Sequence, residues 1–379
     1  MDISEFKSGQ LIQQYQYKSF SPSKINNEWT WRDPKINTLL AEANNKLGEL
    51  NAFSLYVPNI EFFISMHVIK EATTSSRIEG TKTNVDEALL SVDDIEPEKR
   101  DDWQEVQNYI HSLNYSIAKL KELPVSTRLL KEAHKILLSG VRGETKQPGQ
   151  YRTSQNWIGG ATLKDAVFIP PHHSEVSDLM NDLENFIHNE TIDVPHLIRI
   201  AIIHYQFETI HPFLDGNGRL GRLLITLYLV SAGLLDKPTL YLSDFFEKKK
   251  SLYYDNLTFV RTSDNLAQWI KFFLVAVIET SDKGIQTFKE ILRLRDEIEG
   301  EKLLSLRNRI QNGKTLVSHL YRKPIINVKE VEKILDVTTK PANRIIQDFV
   351  EMGVLQEITG YKRNRLFLFK DYYKLFADN

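Results

Sequence analysis

The sequence predicts a mainly α-helical protein that carries one small β-hairpin among its helices and a winged-helix domain at its carboxyl end. Most long segments space their apolar residues three or four positions apart, which is the period of a helix with one buried face. A single segment, 149–173, is rich in glycine and proline and contains short β-favouring runs. The carboxyl-terminal segment then changes to a helix, a turn, a second helix and a strand pair.

Length and composition limit what such a protein can be. A chain of 379 residues is long enough for two or three domains with separate cores. We expect a helical region over 1–100, a core over 101–285, and a linker helix with the winged-helix domain over 286–379. The net charge of −2 argues against a general attraction to nucleic acid or to anionic membranes. The absence of cysteine excludes disulfides, thiolate metal sites and a thiol nucleophile.

The sequence contains no recognisable targeting or membrane segment. Its first residues, "MDISEFKSGQLIQQYQYKSF", lack a basic stretch followed by an apolar run. No later segment approaches the ~20 consecutive apolar residues that a transmembrane helix requires. We therefore expect a cytoplasmic protein that does not enter a membrane.

The first strongly periodic segment is "EFFISMHVIKEATTSSRIEG". Apolar residues recur every three or four positions from Phe62 to Ala72, and the predicted helix ends near Gly80. Asn84 then has the position to cap a helix over "NVDEALL", with Glu87 as its third residue.

The middle of the chain is predicted to be helical on both sides of segment 149–173. Three stretches show apolar stripes between polar faces: "DWQEVQNYIHSLNYSIAKLKEL", "STRLLKEAHKILLSG" and "SEVSDLMNDLENFIHN". Two others, "PHLIRIAIIHYQFETIHPF" and "RLLITLYLVSAGLL", are apolar almost all round, which is typical of helices buried in a core. Segment 149–173 is predicted to form a hairpin or extended flap around Trp157 and Val167.

The carboxyl-terminal region follows a charged run, "FKEILRLRDEIEGEKLLSLRNRI", that resembles a connector. Beyond it, "NVKEVEKIL" and "TTKPANRIIQDFVEMG" form the predicted helix-turn-helix, and "VLQEITGYKRNRLFLFK" forms the wing. Lys340 and Arg344 lie on the second helix, and Lys362, Arg363 and Arg365 lie in the wing. DNA and a protein partner are both open alternatives for this domain.

The most informative stretch lies between the two buried helices and reads "HPFLDGNGRLGR", from His211 to Arg222. Gly216 and Gly218 let the backbone turn tightly and approach a ligand. Unpaired N–H groups then point outward at the positive end of the following helix, which makes an anion-binding site. Arg219 and Arg222, three apart on that helix, can both reach phosphate oxygens.

Asp215 and His211 supply the remaining chemistry. A carboxylate beside bound phosphate is suited to hold Mg²⁺, which would bridge it to phosphate oxygens. A histidine can accept a proton at neutral pH, here from a hydroxyl that attacks phosphorus. The stretch therefore predicts transfer of a phosphate-containing group from a nucleotide to an alcohol. A plain helix cap with surface ion pairs would explain a lone G-x-G but not all twelve positions.

At every specified position the stretch resembles the Fic motif, H-P-F-x-[D/E]-G-N-G-R-x-x-R. The resemblance, which extends over roughly residues 60–285, implies a Fic-type helical core. It also implies transfer of AMP from ATP, with Mg²⁺, to serine, threonine or tyrosine hydroxyls of proteins. Carried over by position, it implies His211 as general base, Phe213 as core anchor, Asp215 as metal ligand, Gly216, Asn217 and Gly218 as anion hole, and Arg219 and Arg222 as phosphate ligands.

The same resemblance extends to residues outside the motif. Tyr253 and Tyr254 are similar to the aromatic residues on the family's nucleotide side, whereas Arg261 stands where some relatives have an asparagine. "DAVFIPP" resembles the flap that holds a target segment by strand addition, and it implies contact of Val167 and Phe168 with the nucleotide. The other interpretation of this segment is a plain surface hairpin.

The stretch "SSRIEG" resembles the Fic inhibitory motif, [S/T]-x-x-x-E-[G/N], with Ser75, Glu79 and Gly80 in the specified places. The resemblance implies that Glu79 pairs with Arg222 and prevents the γ-phosphate from seating, so that the enzyme is autoinhibited. The alternative is a capping box that begins a helix at Ser76. The apolar stripe continues through this segment, which favours a helix end.

Other functions are compatible with the same residues. A nucleotide-sensing, DNA-binding regulator without transferase activity would need the anion site but not the histidine. Relatives in the family also transfer phosphate or phosphocholine, although the "GNGR" glycines fit the AMP-transferring majority better. Self-modification and a homodimer are consistent with the resemblance.

Overall fold

The computed structural model describes residues 1–56, 60–361 and 363–377. Most of them are helical, so the mainly α prediction is confirmed. The α-helices are α1 Pro34–Tyr56, α2 Ile60–Ile78, α3 Val85–Leu89, α4 Arg100–Lys119, α5 Thr127–Leu137, α6 Val176–His188, α7 His196–Ile210, α8 Asn217–Ser231, α9 Ser243–Lys248, α10 Lys250–Ser263, α11 Leu266–Gly300, α12 Ile310–Leu320, α13 Val328–Leu335, α14 Thr339–Glu351 and α15 Lys370–Lys374. The strands are β1 Gly9–Gln13, β2 Lys18–Pro22, β3 Ile325–Asn327, β4 Gln356–Glu357 and β5 Leu366–Leu368. None of the helices described here is long and apolar enough to cross a bilayer.

The amino-terminal residues form a β-hairpin, whereas the sequence predicted a helical region there. Strands β1 and β2 pair antiparallel, with Gly9 opposite Pro22 and Gln13 opposite Lys18. The N–H of Phe20 on β2 donates to the carbonyl of Ile169, in segment 149–173, across 2.9 Å. These strands are rich in glutamine and serine and show little apolar alternation, so periodicity did not reveal them.

Helix α2 ends at Ile78, and Gly80 follows in a left-handed conformation with φ of 103°. "SSRIEG" is therefore a helix end. The alternative prediction, a capping box that begins a helix at Ser76, is wrong because Ser76 lies within the last turn of α2. The predicted cap occurs at the next helix. Asn84 and Glu87 each bond the other's backbone N–H at the start of α3.

Helices α7 and α8 form the centre of the core, as their apolar sequences predicted. Every residue of α7 from Leu197 to Ile210 is buried. Helix α11 packs against α7, and the indole N–H of Trp269 donates to the carbonyl of Ala201 across 2.8 Å. The loop between α7 and α8 is consequently held from both ends by buried helices.

Helix α11 runs for 35 residues, where the sequence suggested a core helix followed by a separate connector. Its buried residues continue from Leu266 to Ile298, and α1 packs along it. The two predicted segments are one helix because the apolar face is uninterrupted.

Segment 149–173, here called the flap, is extended and rich in turns. Its predicted hairpin is reduced to one antiparallel bridge, in which Ile158 and Phe168 exchange backbone hydrogen bonds of 2.8 and 3.1 Å. Gly159 and Gly160, both at positive φ, begin the turn between them. The strands end there because left-handed backbone does not continue a ladder.

The carboxyl-terminal region contains the predicted helix, turn, helix and strand pair in order, as α13, α14, β4 and β5. A further strand, β3, precedes α13 and makes a three-stranded sheet of order β3-β5-β4. The region packs on α2, where Tyr321 contacts Phe63 and Phe376 contacts His67. Lys362, expected in the basic turn, lies outside the described residues. The winged-helix interpretation stays a prediction.

Candidate active site

The twelve-residue motif folds as a loop between two helix ends. His211 caps α7 in a left-handed conformation (φ 49°, ψ 60°), and Gly216 precedes α8 with φ of 74°. The side chain of Asn217 braces the loop, because it both accepts the N–H of Phe213 and donates to its carbonyl, each across 2.8 Å. Phe213 is fully buried and stacks on His134 at 3.9 Å. The backbone N–H groups at the start of α8 are left as donors for an anion.

The imidazole of His211 is partly buried, with its Nδ1 enclosed by the protein. Burial lowers the pKa of His211 to about 4, and the nearby charge of Glu79 offsets only part of that effect. Its Nδ1 has no hydrogen-bond partner within the described part of the chain. A neutral imidazole can accept a proton, which is the first requirement for a general base.

Two side chains of the flap hold the His211 backbone in place. Nε of Arg152 donates to the carbonyl of His211 across 3.0 Å, and Nη2 of the same residue donates to Pro171 across 2.6 Å. Nδ2 of Asn156 donates to the carbonyls of His211 and Phe213 across 3.1 and 2.9 Å. Sequence reasoning missed both residues, since a side chain that bonds distant carbonyls leaves no local pattern.

Arg222 is held by the end of α2. Its Nε donates to Oγ of Ser75 across 2.9 Å, and its Nη2 donates to the Ser75 carbonyl across 2.8 Å and to Oε1 of Glu79 across 2.7 Å. The guanidinium side chain is 2% exposed. Burial alone would raise the pKa of the Glu79 carboxyl, but the charge and hydrogen bond of Arg222 lower it below its usual value. Ser75, Glu79 and Arg222 are thus brought together as the sequence predicted.

Gly218 makes room for Glu79. A Cβ atom added to Gly218 would lie 2.1 Å from Oε1 of Glu79, which is closer than any carbon and oxygen can approach. The glycine therefore allows the carboxylate to lie against the first turn of α8. Glu79 therefore lies beside the helix start at which an anion would bind.

Arg219 is placed differently from the sequence expectation that both arginines face one phosphate group. It is buried, and its Nη1 donates to Oε2 of Glu105 on α4 across 3.4 Å. Glu105 also pairs with Arg142 and accepts the hydroxyl of Thr81. Arg219 and Arg222 hence point to different partners, because Arg219 pairs with Glu105 on α4 and Arg222 pairs with Glu79 just after α2.

Asp215 lies at the surface of the loop. Its side chain is 45% exposed, its Oδ1 accepts the N–H of Gly216 across 2.6 Å, and Arg219 lies 3.8 Å away. No group of three or more potential metal ligands occurs among residues 1–56, 60–361 and 363–377. One exposed carboxylate fits a Mg²⁺ ion whose other ligands are phosphate oxygens and water.

A cavity of about 560 Å³ opens beside His211 and is within the size range of small-molecule sites. The predicted site residues that line it are Glu79, Val167, Phe168, His211, Gly218, Arg222, Tyr253 and Tyr254. Asp215, Gly216, Asn217 and Arg219 lie in or beside the loop without lining this cavity. Its walls also contain residues that the sequence did not assign to the site, including Trp157, Glu208 and Lys250.

Two family models match this chain. Residues 37–118 match the model described as Fic/DOC family N-terminal, and residues 124–229 match the model described as Fic/DOC family. The chain belongs to the Fic/DOC family. The second match contains the whole motif of residues 211–222, and the first contains the stretch of residues 75–80.

Curated relatives share the family with this chain over part of their length. A probable protein adenylyltransferase from Aquifex aeolicus (strain VF5) is 33% identical over 178 residues, which are 47% of this chain and 52% of that protein. The protein adenylyltransferase Fic of Drosophila grimshawi is 25% identical over 217 residues, 55% of this chain and 42% of that protein. The chain spans about half the length, or less, of these relatives.

Solved structures share the fold. A crystal structure of a Fic family protein from Desulfovibrio desulfuricans G20 has a TM-score of 0.57 and 21% identity, covering 89% of this chain and 96% of that one. Fic-1 (residues 134–508) from C. elegans has a TM-score of 0.52 and 18% identity, covering 69% of this chain and 75% of that one. At such low identity these likenesses establish the Fic fold alone.

Within this Fic/DOC chain, the two tyrosines differ in their surroundings. Tyr253 is buried, stacks on Phe246 at 4.4 Å, and its hydroxyl bonds Nε2 of His204 across 2.9 Å. Tyr254 is 38% exposed and lines the cavity. Tyr254 is therefore the ring that is accessible to a ligand, and Tyr253 supports it from the core.

Two basic residues of α10 line the cavity of this Fic/DOC protein and contact the flap and the end of α2. Arg261, which departs from the family pattern, places its guanidinium 4.0 Å from the ring centre of Phe168 and donates from Nε to Thr209 across 3.1 Å. Nζ of Lys250 donates to the carbonyl of Ile78 across 2.6 Å. Both contacts join segments far apart in sequence.

Proposed function

We propose that this protein transfers AMP from ATP to serine, threonine or tyrosine hydroxyls of target proteins, and that Glu79 inhibits the reaction. The observation that carries the proposal is the placement of a neutral His211 and the first turn of α8 on one cavity, with Arg222 at the same end. The names of the curated relatives, protein adenylyltransferases, agree with it.

The proposed reaction is a displacement at the α-phosphorus of ATP. The target hydroxyl oxygen forms the new bond to phosphorus, its proton passes to the His211 imidazole, and the bond to the pyrophosphate leaving group breaks. The N–H groups of Asn217 and Gly218 would face the charge that develops on the phosphate oxygens, whereas the N–H of Gly216 is donated to Asp215 in this structure. Bound phosphates would also raise the pKa of His211 from its low value, because negative charge favours the imidazolium.

Asp215 is the residue proposed to hold Mg²⁺. When bound there, the ion would neutralise phosphate charge and help to orient the pyrophosphate. Asp215 is exposed on the loop at the start of α8, which suits a carboxylate that shares an ion with a bound nucleotide.

The flap and α10 are proposed to enclose the nucleotide and present the target. Val167 is 76% exposed and lines the cavity, so it is available to a bound nucleotide, together with Phe168 and Tyr254. A target segment would add to the flap by backbone hydrogen bonds and bring its hydroxyl to His211.

Autoinhibition is proposed to act through the guanidinium of Arg222. As long as its Nη2 is bonded to Glu79 and the Ser75 carbonyl, that nitrogen is not available to a phosphate. The Glu79 carboxylate would also repel a phosphate at the start of α8. Loss of the carboxylate should free both the arginine and the N–H groups.

The test follows AMP incorporation from ATP labelled on the α-phosphate, with Mg²⁺, into protein and into the enzyme itself. We expect little label with wild type, strong label with Glu79→Gly and none with the double variant Glu79→Gly, His211→Ala. His196→Ala in the Glu79→Gly background is a matched control, because His196 bonds Tyr228 outside the cavity. Label incorporated in a parallel reaction with ATP labelled on the γ-phosphate, and not from α-labelled ATP, would indicate phosphate transfer instead. Nucleotide binding without label in any variant would favour a nucleotide-sensing regulator.

We propose a second function for the carboxyl-terminal region, contact with DNA as a winged helix. The observation that favours it is the exposure of Lys340 and Arg344 on α14 and of Arg363 beyond β4, while Asp348 is paired with Arg309. A duplex would receive α14 in its major groove. Binding of a labelled duplex that weakens with salt and with Lys340→Ala and Arg344→Ala together would support DNA. Binding insensitive to both would leave a protein partner as the favoured alternative.

A further inference from the structure

Glu208 is a buried carboxyl group in the wall of the active-site cavity that the proposed reaction does not use. It lies on α7, three residues before His211, and is 6% exposed. Its Oε1 has no hydrogen-bond partner among the residues that the structure describes, although it lines the cavity. A buried carboxyl without a partner is costly, so its retention calls for a role in another state of the site.

Helix α8 is shaped to receive this carboxyl. A Cβ atom added to Gly221 would lie 2.2 Å from Oε1 of Glu208, just as one added to Gly218 would lie 2.1 Å from Oε1 of Glu79. The two glycines are three residues apart and lie on one side of the helix. Gly218 and Gly221 therefore leave two gaps on the surface of α8, here called notches, and each is filled by a glutamate from a different segment.

Arg222 follows the second notch and interacts with both glutamates. The negative charges of Glu79 and Glu208 both favour its protonated form, in that order, against the cost of burial. Of the two glutamates, the described contacts join only Glu79 to it by a hydrogen bond. Two carboxylates thus compete for one guanidinium, and in the inhibited arrangement Glu208 is the one left unpaired.

Among the residues that the structure describes, no other charged or titratable group donates a hydrogen bond to Oε1 of Glu208. Arg261 and Tyr253, both on α10, interact with it electrostatically, and Arg261 gives its Nε to Thr209. Burial raises the pKa of Glu208 to about 7, which Arg222 lowers and Glu79 raises. Departure of Glu79 would therefore favour ionisation of Glu208 beside the freed arginine.

We propose that Glu208 is the second partner of Arg222, a positioning residue that takes the guanidinium when Glu79 leaves and holds it toward the nucleotide phosphates. The inference rests on the proposed function and extends it, since it assigns Arg222 two alternating carboxylates. A guanidinium has five N–H donors, so one edge can bond Glu208 while the other bonds phosphate oxygens. The inhibited and active arrangements then differ in which notch supplies the carboxylate.

The test is binding of a fluorescent ATP derivative with Mg²⁺, combined with steady-state transfer, in two backgrounds. In Glu79→Gly, we expect Glu208→Gln to weaken nucleotide binding about tenfold and to raise KM for ATP more than it lowers kcat. In the presence of Glu79, the same substitution should change binding less than twofold, because Arg222 is already occupied. Gly221→Ala in Glu79→Gly should act like Glu208→Gln, since the methyl group displaces the carboxyl.

Gln206→Leu is the matched control in both backgrounds. Gln206 is buried on the same helix, and its amide donates to Ser23 away from Arg222. Equal nucleotide binding by Glu79→Gly with and without Glu208→Gln would overturn the inference, as would equal effects of Glu208→Gln in the two backgrounds. Failure of the proposed function has a different signature, which is absence of AMP transfer in Glu79→Gly while the nucleotide still binds. In that case the comparison of nucleotide binding with and without Glu208→Gln still tests the role of Glu208. If Gly221→Ala does not fold, the Glu208→Gln variant alone provides the test.

Discussion

Arg222 and Glu79 are 143 residues apart in sequence and are joined by a hydrogen-bonded ion pair of 2.7 Å inside the active-site cavity. The pair lies where α2 ends and α8 begins its second turn. The Arg222 side chain is 2% exposed and that of Glu79 is 36% exposed, so removing the glutamate leaves a buried guanidinium without its carboxylate, which is costly unless another group takes its place. Under the proposed inhibition, loss of this contact should activate the enzyme.

Ser75 should contribute a measurable share of the inhibition. Ser75→Ala removes the Oγ acceptor of Arg222 Nε and leaves the Glu79 bond intact. We expect the rate of AMP transfer to rise a few-fold, because the lost hydrogen bond stabilises the inhibited arrangement by on the order of 1 kcal/mol. The rate should stay well below that of Glu79→Gly. Ser76→Ala is the control, because the neighbouring Oγ of Ser76 is buried without a described partner. Equal initial rates for Ser75→Ala and Ser76→Ala would contradict this prediction.

Asn156 should affect the chemical step through the His211 backbone. In the Glu79→Gly background, Asn156→Ala removes donors to the carbonyls of His211 and Phe213. We expect kcat to fall roughly tenfold with little change in KM for ATP, since a misplaced base slows proton transfer more than binding. Gln155→Ala, which removes donors to the Asn156 and Pro170 carbonyls, serves as the control. A KM effect alone would show that Asn156 acts on nucleotide binding.

Arg261 should stabilise the flap. Its guanidinium lies on Phe168, and a cation–π contact of this kind contributes about 0.5–2 kcal/mol. We expect Arg261→Asn to speed hydrogen exchange at the Ile158 and Phe168 amides roughly threefold to thirtyfold. Arg261→Lys retains the charge and should give a smaller change. Unchanged exchange at both amides in Arg261→Asn would show that the flap does not depend on this contact.

Glu71 should make stability depend on pH. Burial raises the pKa of Glu71 to about 7, although Ser243 and Tyr109 donate hydrogen bonds to it. Between its ordinary pKa of 4.5 and 7, the unfolded chain loses this proton first, so rising pH disfavours the folded state. Relative to Glu71→Gln, wild type should therefore lose up to about 3 kcal/mol of unfolding free energy from pH 4.5 to 8.

Urea unfolding of both proteins across this pH range measures the difference. Glu61→Gln, at an exposed pair with Lys237, is the control for loss of a surface charge. Parallel pH profiles for wild type and Glu71→Gln would show that Glu71 is ionised in the folded protein throughout the range.

Much of the site could be predicted from sequence because its chemistry is concentrated in short segments. The glycines, His211 and Arg222 lie within one twelve-residue stretch, and their order alone indicates a helix start that binds an anion. The helix end at Glu79 followed from an apolar stripe, and the structure places it on Arg222. Local periodicity and local spacing suffice for such features.

Other features depended on how the helices pack. Arg219 pairs with Glu105 on α4, and Arg152 donates to the carbonyl of His211, which lies 59 residues later in the chain. No spacing in the sequence predicts these contacts. The hairpin β1–β2 was missed for a related reason, since its pairing with the flap compensates for weak alternation in its own sequence.

By itself, the sequence determined the mainly α fold and the family, and it predicted which residues are proposed to bind phosphate and accept a proton. The tertiary structure decided which charges meet. Arg219 pairs with Glu105 on α4, and Oε1 of Glu208 has no hydrogen-bond partner among the described residues. The physical reason is that helix formation and caps depend on neighbours in the chain, whereas buried ion pairs depend on which helix faces dock and which glycines leave room between them.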